Sequence, residues 1–177
     1  MIIKLSSGTD LKGVLAYNQS KVEKGQASVI YSSQEDNLPI EFEMKSLIEK
    51  NSKVKNPIFS CSINPHPDES NVISDQVYSD IAREYMNGMG YGNQPYVVIK
   101  HQDTDRTHIH IVSVRIDENG KKIDSNYEKY KSNALRKVLQ EKYKLLSENE
   151  RTSLKQKRNN QSLNENDVLN RYREVHV

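Results

Sequence analysis

Tyr96–Ile116, YVVIKHQDTDRTHIHIVSVRI, is the stretch whose reading decides the fold. YVVIKH and THIHIVSVRI are rich in β-branched residues and flank the short polar segment QDTDR, which marks two strands and their connection. That connection is too short for a parallel crossover, so the strands pair as an antiparallel hairpin. Residues two apart on a strand share a face, so His108 and His110 project side by side, and the hairpin brings His101 next to them from the neighbouring strand. A lone histidine on a strand is ordinarily structural, but three on one face would give up hydrophobic burial with no return. Three converging imidazoles form a first shell for a divalent metal with positions left for water or substrate oxygens. Asp103, between the strands, is placed to accept the outer N–H of one ligand. His66, in a proline-flanked loop, and His176 read as structural or surface residues.

Outward from the hairpin, strands and helices alternate. A helix over Asp10 to Lys21 carries Leu11, Val14, Leu15 and Asn18 on one stripe, with Thr9 or Asp10 as cap and Tyr17 on the flank. Ala27 to Tyr31 reads as a strand, and SQEDNLP after it as a loop. Glu41 to Val54 reads as a helix ending before Asn56-Pro57, and Pro57 to Ile63 as a strand. A third helix starts at Ser74-Asp75, buries Val77, Ile81, Ala82 and Tyr85, and ends at Gly88 and Gly90. After the turn Asp117–Gly120, residues 121–123 return as an edge strand. A last helix over Lys131 to Leu146 turns Leu135, Val138, Leu139 and Leu146 inward. From Ser147 the composition becomes polar, and weakly packed helical pieces or partial disorder are expected. The pattern predicts an α+β fold, a mainly antiparallel central sheet with helices packed against it.

Composition narrows the class. A chain of 177 residues supports one core rather than two full domains. The hydrophobic fraction of 34% leaves no run near the roughly 20 apolar residues of a membrane helix, so no membrane insertion is expected. MIIKLSSGTD lacks the apolar core of a signal peptide, which points to the cytoplasm. The single cysteine, Cys61, excludes an internal disulfide framework and an all-cysteine zinc site and reads as a buried small hydrophobe. Net charge of +2 decides little, but Lys121 to Lys144 holds eight Lys or Arg against three acids. That excess suits a phosphate backbone, with Lys121, Lys122, Lys131 and Lys137 as DNA-binding candidates, and equally suits a solvated helix face.

The helix SDQVYSDIAREYMNGMGYG leading into YVVIKHQDTDRTHIHIVSVRIDENGKKI resembles the relaxase or mobilization-nuclease family. That family's motif is a similarly spaced histidine and aspartate followed by a histidine-hydrophobe-histidine strand. With Tyr17 on an early helix, the resemblance spans roughly residues 1–146, taken as the nicking domain, with 147–177 as a C-terminal extension. It implies site- and strand-specific nicking of single-stranded DNA at an origin of transfer, through a 5′-phosphotyrosyl adduct and a free 3′-hydroxyl. The cofactor implied is a divalent metal ion, Mg, Mn or Zn, on His101, His108 and His110. Relaxosome accessory proteins and a conjugative coupling protein are the implied partners. The catalytic pair is Tyr17 as nucleophile, within GVLAYNQSK, and Asp103, with Tyr31 as the fallback nucleophile. A tyrosine hydroxyl, with an ordinary pKa of about 10, needs activation for such an attack. Relatives commonly carry an asparagine four residues after the last histidine, where this chain has Val114. Two readings compete. A rolling-circle replication initiator would place its tyrosine after the metal strand, at Tyr127, Tyr130 or Tyr143, and a non-catalytic DNA-binding module would hold a structural metal or none.

Overall fold

A computed structural model describes residues 1–33 and 39–146. The C-terminal extension and most of the SQEDNLP loop lie outside these residues. The elements run β1 (Ile2–Gly8), α1 (Leu11–Glu23), β2 (Ala27–Ser32), α2 (Ile40–Glu49), β3 (Ile58–Asn64), α3 (Pro67–Ser70), α4 (Asp75–Met89), β4 (Tyr96–His101), β5 (His108–Val114) and α5 (Glu128–Lys142). The five strands form one sheet in the order β1-β3-β5-β4-β2, with every neighbouring pair antiparallel. The fold is therefore α+β, as the strand pattern predicts.

Alternation along the strands divides the molecule into two layers of side chains. On one face Phe59, Cys61, Ile63, Tyr96, Val98, Ile109 and Ile111 pack against Ile81, Tyr85 and Met86 of α4 and Leu139 of α5. Cys61 is buried there, and burial pushes its thiol pKa up. On the other face Ile58, Val97, Ile99, Val112 and Val114 pack with Leu11 of α1 and Met44 and Leu47 of α2. His101, His108 and His110 share strand parity with this second set, so they lie on the α1 side of the sheet.

Capping chemistry sets the helix ends. Asp10 Oδ1 accepts the Gly13 N–H at 2.8 Å to start α1, and Ser74 Oγ accepts the Val77 N–H to start α4. α4 runs through Gly88 and stops at Gly90, whose φ of 93° only glycine adopts without strain. α2 ends at Glu49, short of the expected Val54, because Asn51 turns its side chain away, accepting the Lys53 N–H and donating to the Gly120 carbonyl. α5 starts earlier than expected, where Glu128 pairs with the buried Arg115 at 2.7 Å. Its buried stripe passes through Ser132, Leu135 and Leu139, which leaves Val138 59% exposed rather than inward.

Two elements escape the sequence reading. β1 is an edge strand with only Ile3 and Leu5 turned to the core, too short an alternation to stand out. α3 is a single turn nucleated by Pro67 and capped by His66 Nδ1, which accepts the Asp68 N–H. The edge return at residues 121–123 reduces to one bridge between Ile116 and Lys122.

One tether from the α4 layer reaches the strand that carries the histidine pair. The buried Tyr78 hydroxyl lies 2.8 Å from the Ser70 carbonyl and 3.2 Å from that of Thr107, the residue before His108. Tyr78→Phe removes the one O–H that these two carbonyls share, which should lower stability by about 1–3 kcal/mol. Urea denaturation of the two proteins measures the difference.

Candidate active site

Strand register assembles the histidines. His101 closes β4 opposite His108, which opens β5, and His110 lies two residues further on. The ring centroids are 5.4 Å apart for His101–His108, 4.3 Å for His101–His110 and 5.0 Å for His108–His110. One ring nitrogen from each lies within 4.8 Å of the others, a spacing at which a single ion can be held.

Two rings are held from outside the cluster. The Asn18 Nδ2 amide donates to the Val14 carbonyl at 2.8 Å, which turns Asn18 Oδ1 onto His101 Nε2, also at 2.8 Å. His108 Nδ1 lies 3.0 Å from the Arg106 carbonyl, an acceptor only, so this nitrogen carries the proton and donates. Arg106 is itself fixed by donating from Nη2 to the Asn64 carbonyl at 2.7 Å. Burial pulls the His101 pKa down and that of His110 down to about 4, and the neighbouring imidazoles add to both effects. His101 and His110 therefore stay neutral near pH 7 and keep lone pairs for a metal.

Asp103 sits otherwise than expected. Its Oδ1 is 4.0 Å from His101 Nδ1, beyond hydrogen-bond reach, while Oδ2 pairs with Lys21 Nζ at 3.0 Å. The Lys21 ammonium holds the Asp103 carboxyl below the ordinary carboxylate range, and Asp103 in turn raises the Lys21 pKa. The outer N–H groups of the histidines go instead to Asn18 and the Arg106 carbonyl.

Tyr17, on α1, lies beside the cluster. Its ring stacks over that of His101 with centroids 6.4 Å apart, it is 55% exposed, and Lys21 Nζ sits 5.9 Å from its centroid. The other tyrosines lie elsewhere. A β-bulge between Val29 and Tyr31 turns Tyr31 to the α4 face, where it packs on Tyr96. Tyr127 and Tyr130 belong to the start of α5, beside Arg115 and the far end of β5, and Tyr143 is buried with its hydroxyl on Glu84.

The basic candidates are not brought to the histidines. Lys121 and Lys122 follow the other end of β5, where Lys122 bridges Ile116, about 26 Å from His108 at roughly 3.3 Å per residue. Lys131 and Lys137 ride on α5, across the sheet, and Lys131 donates to the Met89 carbonyl at 3.1 Å. Val114, in the place of the usual asparagine, is fully buried in the cluster that includes Met44 and Leu47 of α2.

Sequence reasoning missed Asn18 and Lys21. Asn18 reads as an interruption of an apolar stripe and Lys21 as one cation among 26. For Asn18 the polar residue on a buried stripe was the available signal.

The family model described as Relaxase: MobA/VirD2-like, nuclease domain, matches residues 17–145. No curated protein and no solved structure matches.

The depressed His110 pKa makes the fold acid-sensitive. Between pH 6.5 and about 4 the unfolded chain binds a proton at this residue that the folded chain refuses, so stability is full above 6.5 and is lost as pH falls through that window. Urea midpoints at pH 7.5 and 5 should drop in the parent and drop less in His110→Gln.

Proposed function

The chain belongs to the relaxase family of MobA/VirD2-like nuclease domains, which act as nucleases and strand transferases on DNA in mobilization, and within that family we propose that it nicks one strand at an origin of transfer with Tyr17 as nucleophile. The observation that carries this reading is the stacking of the half-exposed Tyr17 ring on His101, one of three clustered imidazoles. In the reaction the Tyr17 hydroxyl oxygen bonds to phosphorus and the bond from phosphorus to the 3′ oxygen breaks. The phenolic proton is lost and the departing 3′ oxygen gains one. The products are a 5′-phosphotyrosyl chain and a free 3′-hydroxyl. The phosphodiester bond energy is conserved in the covalent link, so the reverse attack reseals the strand.

His101, His108 and His110 are proposed to hold a divalent ion, Mg, Mn or Zn. The residues fit it: the donor set is all imidazole, burial disfavours protonation of His101 and His110, and acceptors outside the cluster hold two of the rings. When bound, such an ion supplies charge neutralisation at a phosphate oxygen. Asp103 acts by anchoring Lys21, whose ammonium stays beside the Tyr17 ring where an incoming phosphate would carry its charge. Lys121, Lys122, Lys131 and Lys137 would contact DNA beyond the reacting phosphate, from the far end and far face of the sheet. Residues 1–146 constitute the nicking domain in this proposal, and 147–177 a separate extension. Single-stranded DNA is the substrate, with relaxosome accessory proteins and a conjugative coupling protein as partners. The replication-initiator reading is less well supported, since its tyrosines do not stand near the histidines.

Tyr17→Phe should eliminate the protease-sensitive shift of labelled DNA on a denaturing gel. DNA affinity should stay within a few-fold and stability within about 1 kcal/mol, because the ring remains. Adduct formed at the parental rate would remove Tyr17 from the mechanism.

Lys122→Glu with Lys137→Glu should flatten the plot of log affinity against log salt on single-stranded DNA, by roughly 0.7 for each phosphate no longer neutralised. An unchanged slope would assign both lysines to solvent.

A further inference from the structure

Asn18 is a polar side chain on the buried face of α1, only 5% exposed, among residues that otherwise serve packing. Its amide is fully committed in one orientation. Flipped, it would set its oxygen against the Val14 carbonyl and its NH2 elsewhere; as it stands, Nδ2 donates to Val14 and Oδ1 faces His101 Nε2 at 2.8 Å. An amide oxygen only accepts, so this contact is a hydrogen bond only when His101 carries its proton on Nε2. The lone pair then lies on Nδ1, the nitrogen facing Asp103 Oδ1 at 4.0 Å.

We infer that Asn18 is the positioning residue of His101, fixing the ring's orientation and its Nε2–H tautomer, and that the cluster's affinity for the proposed cation depends on that placement. The inference rests on the metal reading above for its consequence, but the tautomer itself belongs to the metal-free protein. It also has a topological result. Asn18 follows Tyr17 in the chain, so one turn of α1 carries both the proposed nucleophile and the group that sets a proposed ligand. Movement of that turn changes both together. Outer partners of metal-bound histidines commonly change affinity by 10–100-fold when removed, which gives the size of effect to expect.

The test uses the full chain with 15N-labelled histidine, free of metal, at pH 7.5, with the His101 signals identified as those lost in His101→Gln. The wild-type spectrum should show His101 protonated at Nε2. Asn18→Leu should give a mixture of tautomers and bind Mn2+ at least tenfold more weakly by calorimetry. Asn18→Asp, which keeps an acceptor in place, should restore the Nε2–H tautomer and most of the affinity. A residue that merely packs α1 would change the unfolding midpoint and leave the tautomer alone, so an unaltered tautomer with unaltered affinity in Asn18→Leu overturns the inference. If that variant does not fold, a wild-type spectrum with the proton on Nδ1 overturns it without any substitution. A wild-type protein that binds no Mn2+, yet loses its tautomer in Asn18→Leu, supports the Asn18 assignment while overturning the metal reading.

Discussion

The register between β4 and β5 is the constraint on which the site depends. A shift of one residue would turn His108 and His110 to the α4 face and bring Ile109 and Ile111 beneath α1, because strand side chains alternate. The apolar residues of β5 prevent that slip. Ile109 and Ile111 are sealed in the α4 layer, and Val112 and Val114 in the α1–α2 layer, so both faces of the strand are committed. The histidines occupy the end of the face where α1 presents the polar Asn18 rather than an apolar side chain. Imidazoles withdrawn from water in such a place are costly unless their nitrogens find partners, and two of them do.

The second constraint is the route of the chain between the sheet edges. β1 and β2 are opposite edges and run parallel to each other through the pairing scheme, so α1 must cross the whole face to join them. That crossing carries Tyr17, Asn18 and Lys21 over the end of the sheet where the histidines lie. Tyr17 reaches His101 by stacking, Asn18 by a hydrogen bond, and Lys21 reaches Asp103 by an ion pair. A helix laid across the strands thus turns three neighbouring residues into a contact surface for groups more than 80 positions away.

Charge is distributed differently from the chemistry. Near the histidines Lys21 pairs with Asp103, while the lysine-rich stretch from Lys121 onward lies at the opposite end of the sheet and on α5. Part of that basic character is already engaged in holding the fold. Lys131 caps the α4 carbonyl of Met89, and Lys142 pairs with Glu84. Composition alone could not separate these cations from those facing solvent.

Local pattern determined much of this protein. The β-branched runs around QDTDR specify the hairpin, the spacing of His101, His108 and His110 specifies their shared face, and caps such as Asp10 and Ser74 mark helix starts, since each depends only on residues near in sequence. What required the tertiary structure was whatever depends on residues far apart. β1 is legible only as the partner of β3, Val138 proves exposed only once α5 is docked, and the bulge that sends Tyr31 away from the histidines follows from its pairing with β4. Asp103 pairs with Lys21 rather than a histidine, and Asn18 takes the place at His101, because α1 crosses the sheet there. Hydrogen bonds and ion pairs select the nearest complementary atom in space, and no local periodicity encodes which atom that will be.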